Sequence, residues 1–441
     1  MTNIISDQFP RYTLFNPLVP VWCVTPKLNR IIHRFYDTSP FSPSGRYLGL
    51  TRLPYENHPP IPGDIAEVVV VDLLTGDEHI VAETRAWDTQ LGAQVQWGSS
   101  DNQLFYNDLD FPTWNAFGII IDPFSGDKRE LKGSIYMVSP DSNWIVSPLL
   151  HRMSLTQPGY GINIPHEHIS LSSDSSQDGL YITNTSSGTC EMLVSIEKIV
   201  ENATHHLDPL EFENGTFQIF HAKWNRQGTR LMLVLRWIPN QPGGKIRAQI
   251  ITMKKDGTDI HVAIPASVWD KGGHHPNWCP DGETLIMNLR VQKGIAANLY
   301  LQLPGRLRSR AARLFNFQDD GMRIIGVRYD GTKFRTMNNT VLGTGHPTLH
   351  PNGRHVLTDS YLSELVAFGD GTSPIRLINL DTSQDLTLVR INTKPSYAGT
   401  RNELRVDPHP AWDRDFMRIA FNACVDGTRR VYVADLTRLL V

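Results

Sequence analysis

The chain has 441 residues, of which 40% are hydrophobic and 20% charged, and its formal net charge is −3. That balance describes an ordinary globular protein and gives no electrostatic footprint for nucleic acid or an anionic membrane surface. No apolar run of about 18 residues is present to span a bilayer. The N-terminus lacks a basic start followed by an apolar core. The four cysteines, Cys23, Cys190, Cys279 and Cys424, form no CxxC pair, which argues against both a zinc ribbon and a disulfide scaffold. The expectation is a cytoplasmic monomer with no nucleic-acid or membrane partner.

In chain order, one motif recurs: "TSPFSPSG" from Thr38, "QVQWGSSD" from Gln94, "IYMVSPDS" from Ile135 and "HAKWNRQG" from His221, then "HPNWCPDG" from His275, "HPTLHPNG" from His346 and "HPAWDRDF" from His409. Out of phase with it runs a second series of strand, tight turn and strand. It comprises "EVVVVDLLTGDEHIVAE", "GIIIDPFSGDKREL", "LYITNTSSGTCEMLVSI", "QIITMKKDGTDIHVAI", "LYLQLPGRLRSRAARLF", "IRLINLDTSQDLTLVRI" and "RVYVADLTRLLV". Gly, Asp, Asn and Ser occupy the turns because they tolerate positive φ or bond their own backbone. Short apolar strands such as "YLGLTRL" and "TLIMNLR" lie between the two series.

Equal counts of seven in both series, with little helical periodicity, predict an all-β, seven-bladed β-propeller with four antiparallel strands per blade. Residues 1–441 are expected to form this one domain. The last repeat stops soon after "VYVADL", so the N-terminal "PVWCVT" is expected to complete it and close the ring.

At the first position of the inner-strand motif stand Thr38, Gln94, Ile135, His221, His275, His346 and His409. Four consecutive repeats therefore place histidine at one level of the central channel. His-Pro also starts a strand well, so packing alone could account for any one of them. Along a strand, His275 and Cys279, or His346 and His350, are separated by roughly 13 Å and cannot share an ion. A shared divalent ion would take one imidazole from each of several blades, and His275, His346 and His409 are the expected ligands, for Mn, Zn or Ca. Cys279 is expected to be a small buried residue.

The seven-fold layout, the "HPxW/LxP(D/N)G" repeats and the ending "DPHPAWDRDFMRIAFNACVDGTRRVYVADL" resemble the oligogalacturonate lyases and the related propeller lyases acting on ulvan or rhamnose–glucuronate linkages. The resemblance implies a metal held by histidines of neighbouring blades, which His275 and His346 match, and an earlier histidine engaged in proton abstraction, which His221 matches. It also implies an acid or base tyrosine in a "PGYG" stretch, which Tyr160 matches. Where the family carries Gln-x-x-His-x-His, this chain has Gly343, His346 and Thr348, so His409 is expected to complete the set. The family's blade-three arginine is replaced by the stretch "GLYITNT", and the histidine pair of ulvan-type lyases falls near Gln94 and Trp114.

Such a site would run β-elimination beside a uronate: a base takes the C5 proton, an acid protonates the leaving oxygen and a cation neutralises the carboxylate. His221 or the Tyr160 phenolate is the expected base. Arg236 in "LVLRW", Arg152 and His151 in "LLHRM", and Gln94 are the expected substrate-binding residues, a guanidinium matching a carboxylate bidentately. The expected partner is a uronic-acid-containing oligosaccharide or polysaccharide. Two other readings stay open. One is a hydrolase of rhamnosyl-glucuronate linkages with His58 at the edge of a pocket on one face of the disc. The other is a non-catalytic binding propeller, although the chain lacks the "GH…WD" signature of scaffolding propellers. His166, His168, His205 and His206 lie in polar loops and are expected at the surface.

Overall fold

Alternating short apolar strands and turn residues fold here into seven four-stranded antiparallel sheets. The computed structural model describes residues 5–441 apart from 170–174, 204–206, 208–211, 213, 242 and 292–320. The inner strands of blades one to seven are Ile31–Ile32, Gln96–Trp97, Met137–Val138, Gly215–Trp224, Gly273–Trp278, Thr348–Leu349 and Ala411–Trp412. The chain is thus a seven-bladed β-propeller. Blade seven is completed by Val21–Cys23, which pairs antiparallel with Arg430–Asp435 in the register Val21↔Ala434, Trp22↔Val433 and Cys23↔Tyr432. The N-terminal segment therefore closes the ring, and both Val21 and Trp22 are buried there. No helix among the described residues is long and apolar enough to cross a membrane.

One expectation needs correction in blade five. The segment 299–315, expected as its outer hairpin, lies outside the described residues. Met322–Arg328 and Arg335–Thr336 supply the third and fourth strands instead. The hairpin of these two strands turns through Asp330 and Gly331, the residue types that a tight turn favours. His205 and His206 also lie outside the described residues.

Neighbouring blades are tied together by buried indoles. Nε1 of Trp97 donates to the Pro40 carbonyl at 2.9 Å, that of Trp278 to the Lys223 carbonyl at 3.1 Å, and that of Trp412 to Thr348 Oγ1 at 3.0 Å. Each tryptophan fills the gap between two sheets with its apolar body and satisfies its single donor on the preceding blade.

Blade one departs from the repeat. Ile32 pairs with Thr51 and Phe41 bridges to Leu48, so nine steps along the inner strand are matched by three on its neighbour. The surplus chain swings into the central axis and fills it. Phe35 packs against His221, His346 and His409 at ring-centroid distances of 5.4, 5.7 and 4.6 Å. Asp37 sits beneath, held by Arg34 Nη1 at 2.5 Å and Lys223 Nζ at 2.9 Å. Burial pushes the Asp37 carboxyl up, but Lys223 and Arg34 outweigh it and hold the group well below the usual carboxylate range.

Candidate functional site

The face on which the inner strands begin carries a cavity of roughly 460 Å³ lined by Tyr160, His221, Arg236 and His275, together with Tyr361 and Arg405. Two local distortions aim the histidines into it. In blade four Ile219 pairs with Leu235 and Ala222 with Leu233, and in blade five His274 pairs with Asn288 and Asn277 with Ile286. Each mismatch is one extra residue, a β-bulge that re-aims a side chain. Gln94, His275 and His409, at the same level of three repeats, have φ of 59°, 56° and 49°. Left-handed backbone costs a non-glycine residue about 1–2 kcal/mol, and such strain collects where a side chain must be aimed.

His221 is 7% exposed, its Nδ1 engaged by the Tyr136 hydroxyl. Burial, then the Lys223 and Arg236 charges, push it well below the usual imidazole value, so it is neutral. Tyr160 packs beside it at a centroid distance of 6.2 Å, and Arg405 Nη2 lies 3.4 Å from the Tyr160 hydroxyl. Burial raises the Tyr160 phenol above its ordinary value. The raised value keeps the phenol protonated at neutral pH and favours the acid over the base of the two roles expected from sequence.

Arg236 stacks on Phe220 with Cζ 3.5 Å from the ring centroid and donates to Thr156 Oγ1 at 3.0 Å and Gln157 Oε1 at 3.3 Å. Both partners are neutral, and among the described residues no carboxylate pairs with this guanidinium. Burial lowers it to about 10, so it remains a cation at neutral pH. The cavity therefore presents an uncompensated positive charge.

Below the cavity the histidine rings converge, His275 to His346 at 3.9 Å and His346 to His409 at 4.4 Å between centroids. Among the described residues, the ligand atoms that converge differ in one member from the triad expected from sequence. His346, His409 and Asp407 bring ligand atoms within 4.8 Å of one another, whereas His275 is already committed. Its Nδ1–H donates to the Gly345 carbonyl at 2.5 Å and its Nε2 accepts from the Tyr361 hydroxyl at 2.9 Å. In the cluster, Nε2 of His346 and both ring nitrogens of His409 are buried without a hydrogen-bond partner, while Nδ1 of His346 faces Asp359. A carboxylate behind one nitrogen and an open second nitrogen is the usual setting of a metal-bound imidazole. Two imidazoles and a carboxylate suit a divalent ion of the manganese or zinc type. Gly345, at φ 47°, permits this: a Cβ there would stand 2.0 Å from Asp359 Oδ1.

Three expected substrate-binding residues lie elsewhere. Arg152 is buried in an ion pair with Asp178 at 2.5 Å. Gln94, 3% exposed, accepts from Arg34 Nε at 2.6 Å. Half-buried His151, which burial pushes down to about 4, does not line the cavity. The first two are held in buried pairings at blades three and two. His58 stacks on Tyr55 at 3.7 Å, while His166 and His168 are both exposed, as expected.

Sequence reasoning missed Tyr361, Glu364, Arg405, Asp407 and Asp359. The Glu364 carboxylate accepts from the backbone N–H of Tyr361 at 2.7 Å and of Gly345 at 3.2 Å. Burial, outweighing those bonds, pushes it up to about 8. Of the missed residues, Asp407 stood in the "DPHP" run and Asp359 and Tyr361 at the end of the strand "HVLTDSY", without being singled out there.

No family model and no curated protein matches the chain. Solved structures do. An oligogalacturonate lyase in complex with manganese superposes with a TM-score of 0.61 at 14% identity, covering 97% of this chain and 96% of that one. An oligogalacturonate lyase from Vibrio parahaemolyticus gives 0.61 at 12% identity with the same coverage. The likeness read from the repeats thus reappears as a shared fold over nearly the whole chain. It is the fold that these identities establish.

Proposed function

We propose that the cavity binds a uronate sugar and that the protein is a metal-assisted lyase of uronic-acid-containing oligosaccharides. The observation that carries this reading is the Arg236 guanidinium, without a carboxylate partner among the described residues and lining one cavity with a neutral imidazole and a protonated phenol. A planar, bidentate donor of this kind suits a carboxylate. The likeness to lyases of oligogalacturonate, one of them a manganese complex, supports the choice of sugar.

In the reaction, His221 would donate Nδ1–H to the Tyr136 oxygen and present the Nε2 lone pair to the C5 proton. As that C–H bond breaks, the C4=C5 double bond forms and the C4–O bond cleaves. The departing oxygen takes the Tyr160 proton. Arg236 holds the carboxylate that carries the developing charge, and Arg405 steadies the Tyr160 hydroxyl from which the proton leaves. A divalent ion held by His346, His409 and Asp407 beneath the cavity would add positive charge to the site. Incubation with oligogalacturonates should yield a product absorbing in the ultraviolet through its new double bond. Cleaved products without that double bond would move the assignment to a hydrolase. Binding without cleavage of any uronate glycan would leave a recognition propeller.

A further inference from the structure

A second cavity of roughly 540 Å³ opens beside the first on the same face. Tyr361, Ser363 and Arg405 line both, so the two are compartments of one cleft divided by a wall of polar side chains. Tyr361 is fixed in that wall by its hydroxyl on His275 Nε2 at 2.9 Å, and Arg405 by Nε on Asp407 Oδ2 at 2.8 Å. Across the second compartment stand Lys394 and Tyr397. Lys394 is exposed with no carboxylate partner among the described residues, and Tyr397 is 44% exposed. An unpaired ammonium and a solvent-facing aromatic ring are what a charged sugar needs, one for its carboxylate and one for its apolar ring face. Each compartment has the size of an ordinary small-molecule site.

We infer that the second cavity is a further saccharide subsite, so that an acidic oligosaccharide held in the first compartment continues over the Tyr361–Arg405 wall and places a later uronate between Lys394 and Tyr397. This rests on the proposed uronate specificity of the first cavity. Arg405, facing both compartments, would then lie between consecutive carboxylates, and substrates too short to cross the wall would forgo the second set of contacts.

The test is calorimetric binding of galacturonate dimer and tetramer to the full-length protein carrying His221→Ala, which removes the proposed base and so slows turnover about 10²- to 10⁴-fold, enough for binding to be read before cleavage. The tetramer is expected to bind about tenfold or more tightly than the dimer, the gain of one charge-assisted contact set. Lys394→Ala and Tyr397→Ala, added separately to that background, should bring the ratio of the two dissociation constants towards one, and Lys394→Glu should invert it. Equal binding of dimer and tetramer, insensitive to these changes, overturns the subsite and leaves the first cavity's assignment standing. Absence of binding by either oligomer overturns the assignment of the first cavity, and the subsite with it.

Discussion

Asp359 sets its two carboxylate oxygens 2.9 and 3.0 Å from Nδ1 of His346, and the same carboxylate accepts from the backbone N–H of His346 and of His409 at 2.7 and 3.2 Å. One buried side chain thereby fixes the tautomer of one imidazole and the strand position of the other. The orientation of the empty nitrogens towards Asp407 follows from that clamp.

The clamp makes metal affinity sensitive to a residue that would not touch the ion. Asp359→Asn should weaken Mn²⁺ binding about 10- to 100-fold, the usual cost of losing a partner behind a ligating histidine. His346→Ala and Asp407→Ala should reduce it further. Titration of chelator-treated protein with Mn²⁺ measures all three, and unchanged affinity in Asp407→Ala would sink the proposed ligand set. His275→Ala, by contrast, should leave metal content near that of the wild type.

His221→Ala and Tyr160→Phe should each lower turnover of an oligogalacturonate about 10²- to 10⁴-fold, with the circular dichroism spectrum retained. The acid limb of kcat/KM offers a second check. Burial, with Lys223 and Arg236, lowers the His221 pKa, so the unprotonated base persists to lower pH than an ordinary imidazole at about 6.5. A limb falling at or above that pH would argue against His221 as the base.

Arg236→Ala removes the charge that faces the substrate carboxylate, and a lost charge-assisted hydrogen bond is worth about 1.5–3 kcal/mol. KM should rise accordingly, by roughly 10- to 100-fold. Arg152→Ala should instead destabilise the fold through the stranded Asp178 carboxylate. Thermal denaturation separates the two effects.

Asp37 holds the axial plug to Lys223 and Arg34, and breaking a buried pair by removing one partner costs about 3–5 kcal/mol. Asp37→Asn should show that loss in urea unfolding at neutral pH. Because the folded-state pKa of Asp37 is depressed, its contribution is present above the unfolded value of about 3.9 and is lost as pH falls below it. The difference between wild type and Asp37→Asn should therefore shrink in acid, and a difference independent of pH down to acid unfolding would refute the assignment.

The seven-fold architecture was legible because each turn writes its own residues into the chain, and Cys23 could be placed beside the last blade because that repeat ran out of sequence. His221, Tyr160 and Arg236 were found because each stood in a motif tied to a strand end. Asp359, Tyr361, Glu364 and Arg405 were not. They sit at strand termini and in connecting loops of blades six and seven, where no periodicity ranks one polar residue over another. That Asp407 rather than His275 converges with His346 and His409 was hidden for a similar reason, since Nε2 of His275 meets the Tyr361 hydroxyl across the cleft. Gln94 shared a strand level with the histidines, but that level says nothing of Arg34, which arrives from the irregular stretch of blade one.

That irregular stretch has a consequence for traffic. A ring of seven blades could in principle be a tube through which a polymer threads, but Phe35, Tyr36 and Asp37 turn it into a bowl. Whatever enters at the rim above His221 must leave by the same rim. Successive cuts on one chain would need the sugar to slide across the face of the disc or to let go. Six blades are thus free to carry loops and ligands at that rim because one blade has given up its regularity to seal the base.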